Sequence, residues 1–229
     1  MIYAGPALST DELASARDLM QRAQLTDGRE SAPGAAGAVK RNLQSAPQAQ
    51  TAAALAAIII GALQRNMDFF RMALPAELSV PMFNCYRPGM CYGAHYDAPT
   101  FQAGDGRRMR ADLSATLFLS TPESYDGGEL VMMEGGHGCA VNEREFKLPA
   151  GHIIVYPAAL LHQVREVRSG ERHAAVFWIQ SMIRSLEERE LFYRLDRAVQ
   201  DVSAKLPGSA EVRDLTGVFT GLGRLWLNP

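Results

Sequence analysis

Short runs of alternating apolar and polar residues, separated by clusters of Gly, Pro and Asp, occupy the chain from Val80 to about residue 182. Alternation with a period of two is typical of strands that bury one face, and runs this short suit antiparallel strands joined by turns. The pattern predicts strands over residues 83–86, 112–120, 129–133, 152–156, 162–167 and 172–182. The middle of the chain is therefore predicted to be an antiparallel β domain.

Helical patterns flank the strands on both sides. Ser9 and Glu12 match a capping box, which predicts a first helix that begins there and ends before Thr26. The Ala-rich residues 48–72 predict one long second helix. Apolar residues at helical spacing return after Arg184, and a final helix is predicted over residues 210–226.

This order predicts an α+β fold in which a double-stranded β-helix, or jelly-roll barrel, is flanked by N-terminal and C-terminal helices. We expect a helical support over residues 1–76, the barrel core over residues 77–184 and a helical extension over residues 185–229. A chain of 229 residues that is 47% hydrophobic can bury such a core. A binding pocket is expected at the mouth of the barrel.

Charge and composition exclude several classes of partner. The formal net charge is −2 with mixed signs, so neither nucleic acid nor an anionic membrane is an expected partner. The longest apolar run, residues 52–60, is too short to span a bilayer, and no leader pattern is found, so we expect a cytoplasmic protein. Cys85, Cys91 and Cys139 are odd in number and lack CxxC spacing, which predicts reduced thiols and no structural zinc site.

His95 and Asp97 are an imidazole and a carboxylate two residues apart, and His162 begins a later predicted strand. Residues i and i+2 of a strand share a face, so His95 and Asp97 could bind one ion together, with His162 as the third ligand. Two histidines and one carboxylate on one face of an octahedron leave positions open, which is the arrangement of non-haem Fe(II) oxygenases. The spacing therefore predicts an iron site.

Each of these residues also has a purely structural explanation. Asp97 could cap the turn before Ala98 while His95 is a hydrogen-bonded core residue, and His162 could be a lone buried histidine. The presence of all three together favours the metal site. The remaining histidines are weaker candidates: His137, His152 and His173.

Arg172 is the candidate for binding a dicarboxylate co-substrate, because guanidinium offers a bidentate fork to a carboxylate. If a three-residue loop joins the last two predicted strands, Arg172 pairs with Glu166 and shares a face with His162. A two-residue turn, Ser169-Gly170, would instead send the arginine outward. The alternative to a ligand role is a cross-strand ion pair of Arg172 with Glu166 on the outer face.

The strands predicted over residues 112–120 and 172–182 are expected to line the pocket with every second residue. On the 112–120 strand the opposite face is the more apolar one, and it can face away from the pocket only if flanking helices cover it, which the long Ala-rich segment could do. The expected inward residues are Ser114, Thr116, Phe118, Arg172, Ala174, Val176, Trp178 and Gln180.

Eight segments in the same order resemble the bacterial PKHD-type hydroxylases, Fe(II)- and 2-oxoglutarate-dependent dioxygenases related to prolyl 4-hydroxylases. The resemblance spans nearly the whole chain. Its segments are DGR at 27–29, VKRN at 39–42, YGAHYD at 92–97, DLSATLFL at 112–119, YDGGEL at 125–130, LPAG at 148–151, FWIQSM at 177–182 and LW at 225–226. The family usually has Asn after the metal-binding Asp, where this chain has Ala98, a departure that bears on substrate choice.

The resemblance implies that His95, Asp97 and His162 bind Fe(II), that Arg172 binds the distal carboxylate of 2-oxoglutarate, and that Tyr86 helps to place this co-substrate. It implies hydroxylation of an unactivated C–H bond with release of succinate and carbon dioxide, with L-ascorbate as a further candidate cofactor. The implied substrate is a prolyl or lysyl residue or a small molecule linked to iron uptake, and dioxygen is the second substrate.

Two other functions stay open on the sequence. The same barrel could be a non-catalytic module that senses a metal or 2-oxoglutarate, or a cupin-like metal enzyme that uses no keto acid. The apolar helical ends could also provide the surface of a homodimer.

Overall fold

The computed structural model describes residues 2–32, 34–46, 49–135 and 142–228, so Gln48, His137 and Cys139 lie outside the described residues. Six α-helices are found in these ranges, together with two short 3₁₀ helices at Gly28–Ser31 and Pro122–Ser124. The α-helices are α1 (Thr10–Gln21), α2 (Ala35–Ala38), α3 (Gln50–Arg65), α4 (Met67–Ala73), α5 (Leu186–Lys205) and α6 (Ala210–Trp226).

Seventeen strands are found in the same described part of the chain. They are β1 (Tyr3–Pro6), β2 (Leu25–Asp27), β3 (Lys40–Arg41), β4 (Leu43–Ser45), β5 (Pro75–Leu78), β6 (Met82–Tyr86), β7 (Cys91–His95), β8 (Thr100–Gln102), β9 (Arg108–Arg110), β10 (Leu113–Phe118), β11 (Tyr125–Gly127), β12 (Leu130–Glu134), β13 (Asn142–Phe146), β14 (His152–Pro157), β15 (Leu161–Val164), β16 (Val167–Gly170) and β17 (Arg172–Ser181).

The strands form two principal sheets. The larger has eight strands in the order β1-β14-β10-β17-β6-β4-β2, with β5 added beside β17, and the smaller has the order β13-β12-β15-β7-β3. The pairs β11-β16 and β8-β9 form two separate two-stranded sheets. Neighbouring strands of these sheets pair antiparallel, so the prediction of a mixed helix and strand protein with antiparallel sheets is confirmed.

The helix boundaries follow the caps that the sequence contains. Ser9 and Glu12 form the predicted capping box at the start of α1. The long second helix was wrong as a single element, because residues 50–73 form α3 and α4 with an 84° bend between them. Asn66 causes the break, since its side chain accepts a hydrogen bond from Phe69 N and donates one to Pro6 O.

The outer face of the large sheet forms one core with the N-terminal helices. Leu113, Ala115, Leu117 and Leu119 pack there with apolar residues of α1, α3 and α4, among them the fully buried Leu55. The prediction that the Ala-rich segment covers this apolar face is therefore confirmed. The opposite face of the large sheet packs with the small sheet around a second core that contains Phe118.

Within the described residues, no single helix is both long enough and apolar enough to cross a membrane. Only α3 and α4 together reach that length and composition, across their bend.

Candidate metal centre

The small sheet brings His95 and His162 side by side. His95 is the last residue of β7, and His162 is its direct partner on β15. Asp97 lies two residues beyond the end of β7, so the expectation that His95 and Asp97 share one strand was wrong. The chain leaves the sheet after His95, and this turn brings the carboxylate next to both imidazoles.

The three predicted ligands converge. One ligand atom each from His95, Asp97 and His162 lies within 4.8 Å of the other two. The Nε2 atoms of both histidines are 3.9 Å from the nearest Asp97 carboxylate oxygen. Adjacent ligands of an octahedral ion with bonds of about 2.1 Å lie about 3 Å apart, so an ion would draw these side chains together by about 1 to 2 Å.

The histidine rings are oriented to offer Nε2 to an ion. His95 Nδ1 lies 2.8 Å from Gly93 O and His162 Nδ1 lies 2.9 Å from Leu160 O. A ring that donates Nδ1–H to a carbonyl keeps a lone pair on Nε2. Burial and the neighbouring His162 ring lower the pKa of His95 to about 4, so this imidazole is neutral near pH 7, as a metal ligand must be.

Asp97 is held by a hydroxyl from the large sheet. Ser114 Oγ on β10 donates to Asp97 Oδ2 at 2.5 Å, and Ser114 is fully buried. This bond leaves Oδ1 facing His95. The prediction that Ser114 points inward is borne out by this contact.

One cavity of about 310 Å³ contains all the predicted site residues. It is lined by His95, Asp97 and His162 and also by Arg172 and Tyr86. Thr116, Val176 and Trp178 line it too, as predicted for the inward faces of their strands. The two principal sheets therefore share one cavity, which contains both the three predicted ligands and the arginine.

Arg172 reaches this cavity by a different route from the one predicted. The expected hairpin between the last two strands was wrong, since β15 pairs with β12 and β7, whereas β17 pairs with β10, β6 and β5. Residues 165–171 cross from the small sheet to the large one, and β16 within them pairs with β11. The Arg172–Glu166 ion pair is not formed either, because Glu166 lies near Arg41 on the surface.

The guanidinium of Arg172 is buried with free donors. Arg172 is 1% exposed, and its Nε and Nη2 atoms have no hydrogen-bond partner among the described residues. The guanidinium carbon lies 5.3 Å from the Tyr86 ring centroid and 5.2 Å from that of Phe118. Tyr86 is the cross-strand partner of Arg172, and burial raises its pKa to about 12, so its hydroxyl stays protonated. Two such donors on one guanidinium have the geometry to bind both oxygens of a carboxylate.

A second group of possible ligand atoms was not predicted. Cys85, Glu171 and His173 place a thiol, a carboxylate and an imidazole within 4.8 Å of one another. Glu171 is already paired with Arg87 at 2.8 Å, and burial raises the pKa of the Cys85 thiol to about 11. A bound cation would compete with the arginine and require a thiolate, so this group suits an ion poorly.

Sequence reasoning also missed Lys40, which lines the same cavity and is 3% exposed. It lies within the VKRN segment, but no periodicity or spacing distinguishes a buried lysine there from a surface one. Its position follows from the pairing of β3 with β7, a contact between distant parts of the chain.

Solved structures share the fold at low sequence identity. A carbocyclase, described as the non-heme alpha ketoglutarate dependent SnoK from nogalamycin biosynthesis, matches with a TM-score of 0.55 and 13% identity, over 83% of this chain and 85% of that one. A Trichoplax adhaerens prolyl hydroxylase, in complex with a hypoxia inducible factor peptide fragment, matches with a TM-score of 0.52 and 12% identity, over 83% and 86%.

Sequence relatives are much closer. The family model described as 2OG-Fe(II) oxygenase superfamily matches residues 81–180, and that of the PKHD-type hydroxylase C-terminal domain matches residues 187–228. A PKHD-type hydroxylase of Klebsiella pneumoniae subsp. pneumoniae is 41% identical over 226 residues, 99% of both chains. One from Burkholderia ambifaria is 39% identical over 228 residues, 99% of this chain and 98% of the relative. The chain belongs to the PKHD-type hydroxylases, oxygenases that use Fe(II) and 2-oxoglutarate.

Proposed function

We propose that His95, Asp97 and His162 bind the Fe(II) of this hydroxylase and that Arg172 binds the distal carboxylate of 2-oxoglutarate. The enzyme then hydroxylates an unactivated C–H bond of a prolyl or lysyl residue or of a small molecule linked to iron uptake. The observation that carries the proposal is the convergence of three ligand atoms within 4.8 Å. The same cavity is lined by a buried arginine with two donors that bond to none of the described residues.

The donor set fits Fe(II). Two imidazoles and one carboxylate on one side of an ion are the facial arrangement of non-haem iron oxygenases, and they leave the other side to co-substrate and dioxygen. The backbone carbonyls of Gly93 and Leu160 hold the two rings in the tautomer that this arrangement requires.

The environment of Arg172 fits a carboxylate. Two unpaired donors of one guanidinium can bind both oxygens of a carboxylate, and burial strengthens such a pair. Tyr86 flanks the guanidinium and lines the same cavity, so we assign it a part in placing 2-oxoglutarate. L-ascorbate as an additional requirement stays a prediction.

Fe(II) with 2-oxoglutarate supplies the oxidation, in which one atom of dioxygen enters a C–H bond and the other enters succinate as carbon dioxide is lost. The chain itself binds and orients the reactants. The Ser114 hydroxyl holds the Asp97 carboxylate in place.

A double-stranded β-helix is the form that we propose for the β core. Two antiparallel sheets share one lined cavity, and two solved structures that match with TM-scores of 0.55 and 0.52 are a keto-acid-dependent enzyme and a prolyl hydroxylase. The boundaries at residues 76 and 184 stay a proposal for where the helical support ends and the helical extension begins.

Incubation with ¹⁸O₂ tests the proposed function. Protein with Fe(II) and 2-oxoglutarate is offered prolyl peptides, lysyl peptides and small-molecule extracts, and products are read by mass spectrometry. A product that gains one ¹⁸O atom while one equivalent of succinate forms supports hydroxylation. Succinate formation that never exceeds the rate of a metal-free control, with every substrate class, contradicts it.

Removal of the Ser114 hydroxyl is expected to weaken metal binding without removing a ligand. Ser114→Ala frees the Asp97 carboxylate to rotate, and loss of such an outer hydrogen bond typically costs about 10- to 100-fold in metal affinity. Affinity is measured by competition with a coloured Fe(II) chelator under anaerobic conditions. Ser181→Ala is the matched control, because Ser181 is equally buried and bonds to Ala73 O, away from the site. Equal loss of affinity in both variants would contradict the role of Ser114.

A further inference from the structure

Lys40 is a second buried cation beside the metal centre. It pairs with Tyr92 across β3 and β7, and its Nζ lies 5.2 Å from the centroid of the Tyr92 ring. That ring stacks on His95 with centroids 3.6 Å apart. The ammonium therefore lies one aromatic ring away from a proposed metal ligand, in the wall of the same cavity.

The hydrogen bonds of Lys40 leave it partly unsatisfied. Nζ donates to Ser31 Oγ at 2.8 Å, and the Gln44 amide oxygen, in its alternative orientation, could accept at 3.3 Å. An ammonium has three donors, so at least one remains. Among the residues that the structure describes, no carboxylate lies within 4.0 Å of Lys40 Nζ to neutralise it.

The charges that line the cavity do not balance. Its charged side chains are Lys40, Arg172 and Asp97. With the proposed Fe(II) and 2-oxoglutarate in place, the two charges of the metal offset those of the co-substrate, and Asp97 offsets one of the two cations. One positive charge is left over among these groups, because Asp27, the other carboxylate that acts on Lys40, is already ion-paired with Arg29. Burial lowers the pKa of Lys40 to about 8, so it still carries most of its charge at pH 7.

We propose that Lys40 binds a carboxylate group of the substrate, so that the substrate of this hydroxylase is a monocarboxylate; this assignment rests on the proposed function of the metal centre. A single leftover charge matches a carboxylate better than a phosphate dianion. Arg172, between Tyr86 and Phe118, keeps the co-substrate. Lys40 instead bonds to Ser31, which lines both this cavity and the one beside it.

The rest of the substrate could bind in a neighbouring cavity. A second cavity of about 940 Å³ adjoins the first, and five residues line both: Ser31, Gln44, Met82, Phe101 and Trp178. Ser31, the hydrogen-bond partner of Lys40, is thus at the junction. Phe101 and Trp178 stack there with centroids 3.4 Å apart and offer a flat apolar surface. A substrate with an acidic end at Lys40 and an apolar body along these rings fits both cavities.

Nuclear magnetic resonance can test this directly, because the chain has only three lysines: Lys40, Lys147 and Lys205. Protein labelled with ¹³C-lysine is loaded with redox-inert Zn(II) and 2-oxoglutarate, and the Lys40 ε-carbon signal is assigned from its loss in Lys40→Met. The probes are benzoate and N-acetyl-Ala-Ala-Pro, each compared with its amide. They separate a small acid from a peptide carboxyl terminus as the source of the carboxylate.

Each probe acid is compared with its own amide. For benzoate, for the peptide, or for both, the acid is expected to shift the Lys40 signal and to bind about tenfold more tightly than the amide. Affinities are read from the probe's own proton signals, so that variants without Lys40 can be compared. In Lys40→Met the preference falls to about one, Lys40→Arg restores part of it, and Lys205→Met, at an exposed position, retains it. No acid preference in the wild type, or an unchanged preference in Lys40→Met, overturns the proposal.

Two further measurements distinguish this proposal from other roles for Lys40 and from failure of the proposed function. If Lys40→Met raises the dissociation constant of 2-oxoglutarate tenfold or more, Lys40 serves the co-substrate and the assignment to the substrate is wrong. If the wild type with Fe(II) forms no succinate from 2-oxoglutarate although acids bind at Lys40, the proposed function fails while the anion site stands.

Discussion

Asp97→Ala is expected to lower the affinity for Fe(II) by at least about 100-fold and to reduce succinate formation to the level without enzyme. The loss exceeds the 10- to 100-fold typical of an outer hydrogen-bond partner, because a ligand disappears and, with it, the one carboxylate among the described residues that line the cavity. His95→Ala and His162→Ala are expected to behave alike. Anaerobic titration with Fe(II) gives the affinity, and circular dichroism shows whether each variant folds.

His173→Ala is the matched control for these variants. His173 is a histidine of the large sheet, in the group with Cys85 and Glu171, outside the proposed site. Its replacement should leave Fe(II) affinity within about twofold of the wild type, since it contributes no ligand. If Asp97→Ala binds Fe(II) normally, or if His173→Ala loses binding to the same degree, the assignment of ligands is wrong.

Arg172→Met is expected to raise the dissociation constant of 2-oxoglutarate by roughly 10- to 150-fold and to leave Fe(II) affinity unchanged. Hydrogen bonds to charged groups contribute roughly 1.5 to 3 kcal/mol, and each 1.4 kcal/mol is a factor of ten. Arg172→Lys keeps the charge but loses the fork, so a smaller increase is expected. Calorimetric titration of 2-oxoglutarate into the metal-loaded Arg172→Met and Arg172→Lys proteins measures the dissociation constant for each variant.

Arg168→Met serves as the control for Arg172→Met, because Arg168 is a nearby arginine whose ion pair with Asp126 lies on the surface. It should bind 2-oxoglutarate as the wild type does. Unchanged co-substrate affinity in a folded Arg172→Met protein would show that another group holds the distal carboxylate, and Lys40 would then be the first candidate.

Local patterns were sufficient where neighbouring residues decide the structure. The capping box of Ser9 and Glu12 starts α1, and the final helix has its predicted bounds, since caps and periodicity act within a few residues. The alternation along β10 correctly separated a pocket face from a face covered by helices. The convergence of His95, Asp97 and His162 could be predicted, because two imidazoles and a carboxylate that all point to one metal site favour a common position.

Local patterns failed where distant segments meet. The loop before Arg172 reads as a hairpin turn, yet it crosses between sheets, and no local pattern distinguishes the two. Asn66 breaks the Ala-rich helix through a bond to Pro6, sixty residues away. Lys40 is buried only because β3 joins the edge of the small sheet. Each depends on which strands become neighbours, and the propensity of a segment does not contain that information.

The central claim is that His95, Asp97 and His162 share one iron. Crystals grown anaerobically with Fe(II), with diffraction measured on both sides of the iron absorption edge, locate the ion without reference to activity. We expect one anomalous peak per chain, at about 2.0 to 2.2 Å from Nε2 of each histidine and from a carboxylate oxygen of Asp97. A peak at Cys85, Glu171 and His173 instead, or an ion that contacts fewer than two of the three proposed ligands, would contradict the account.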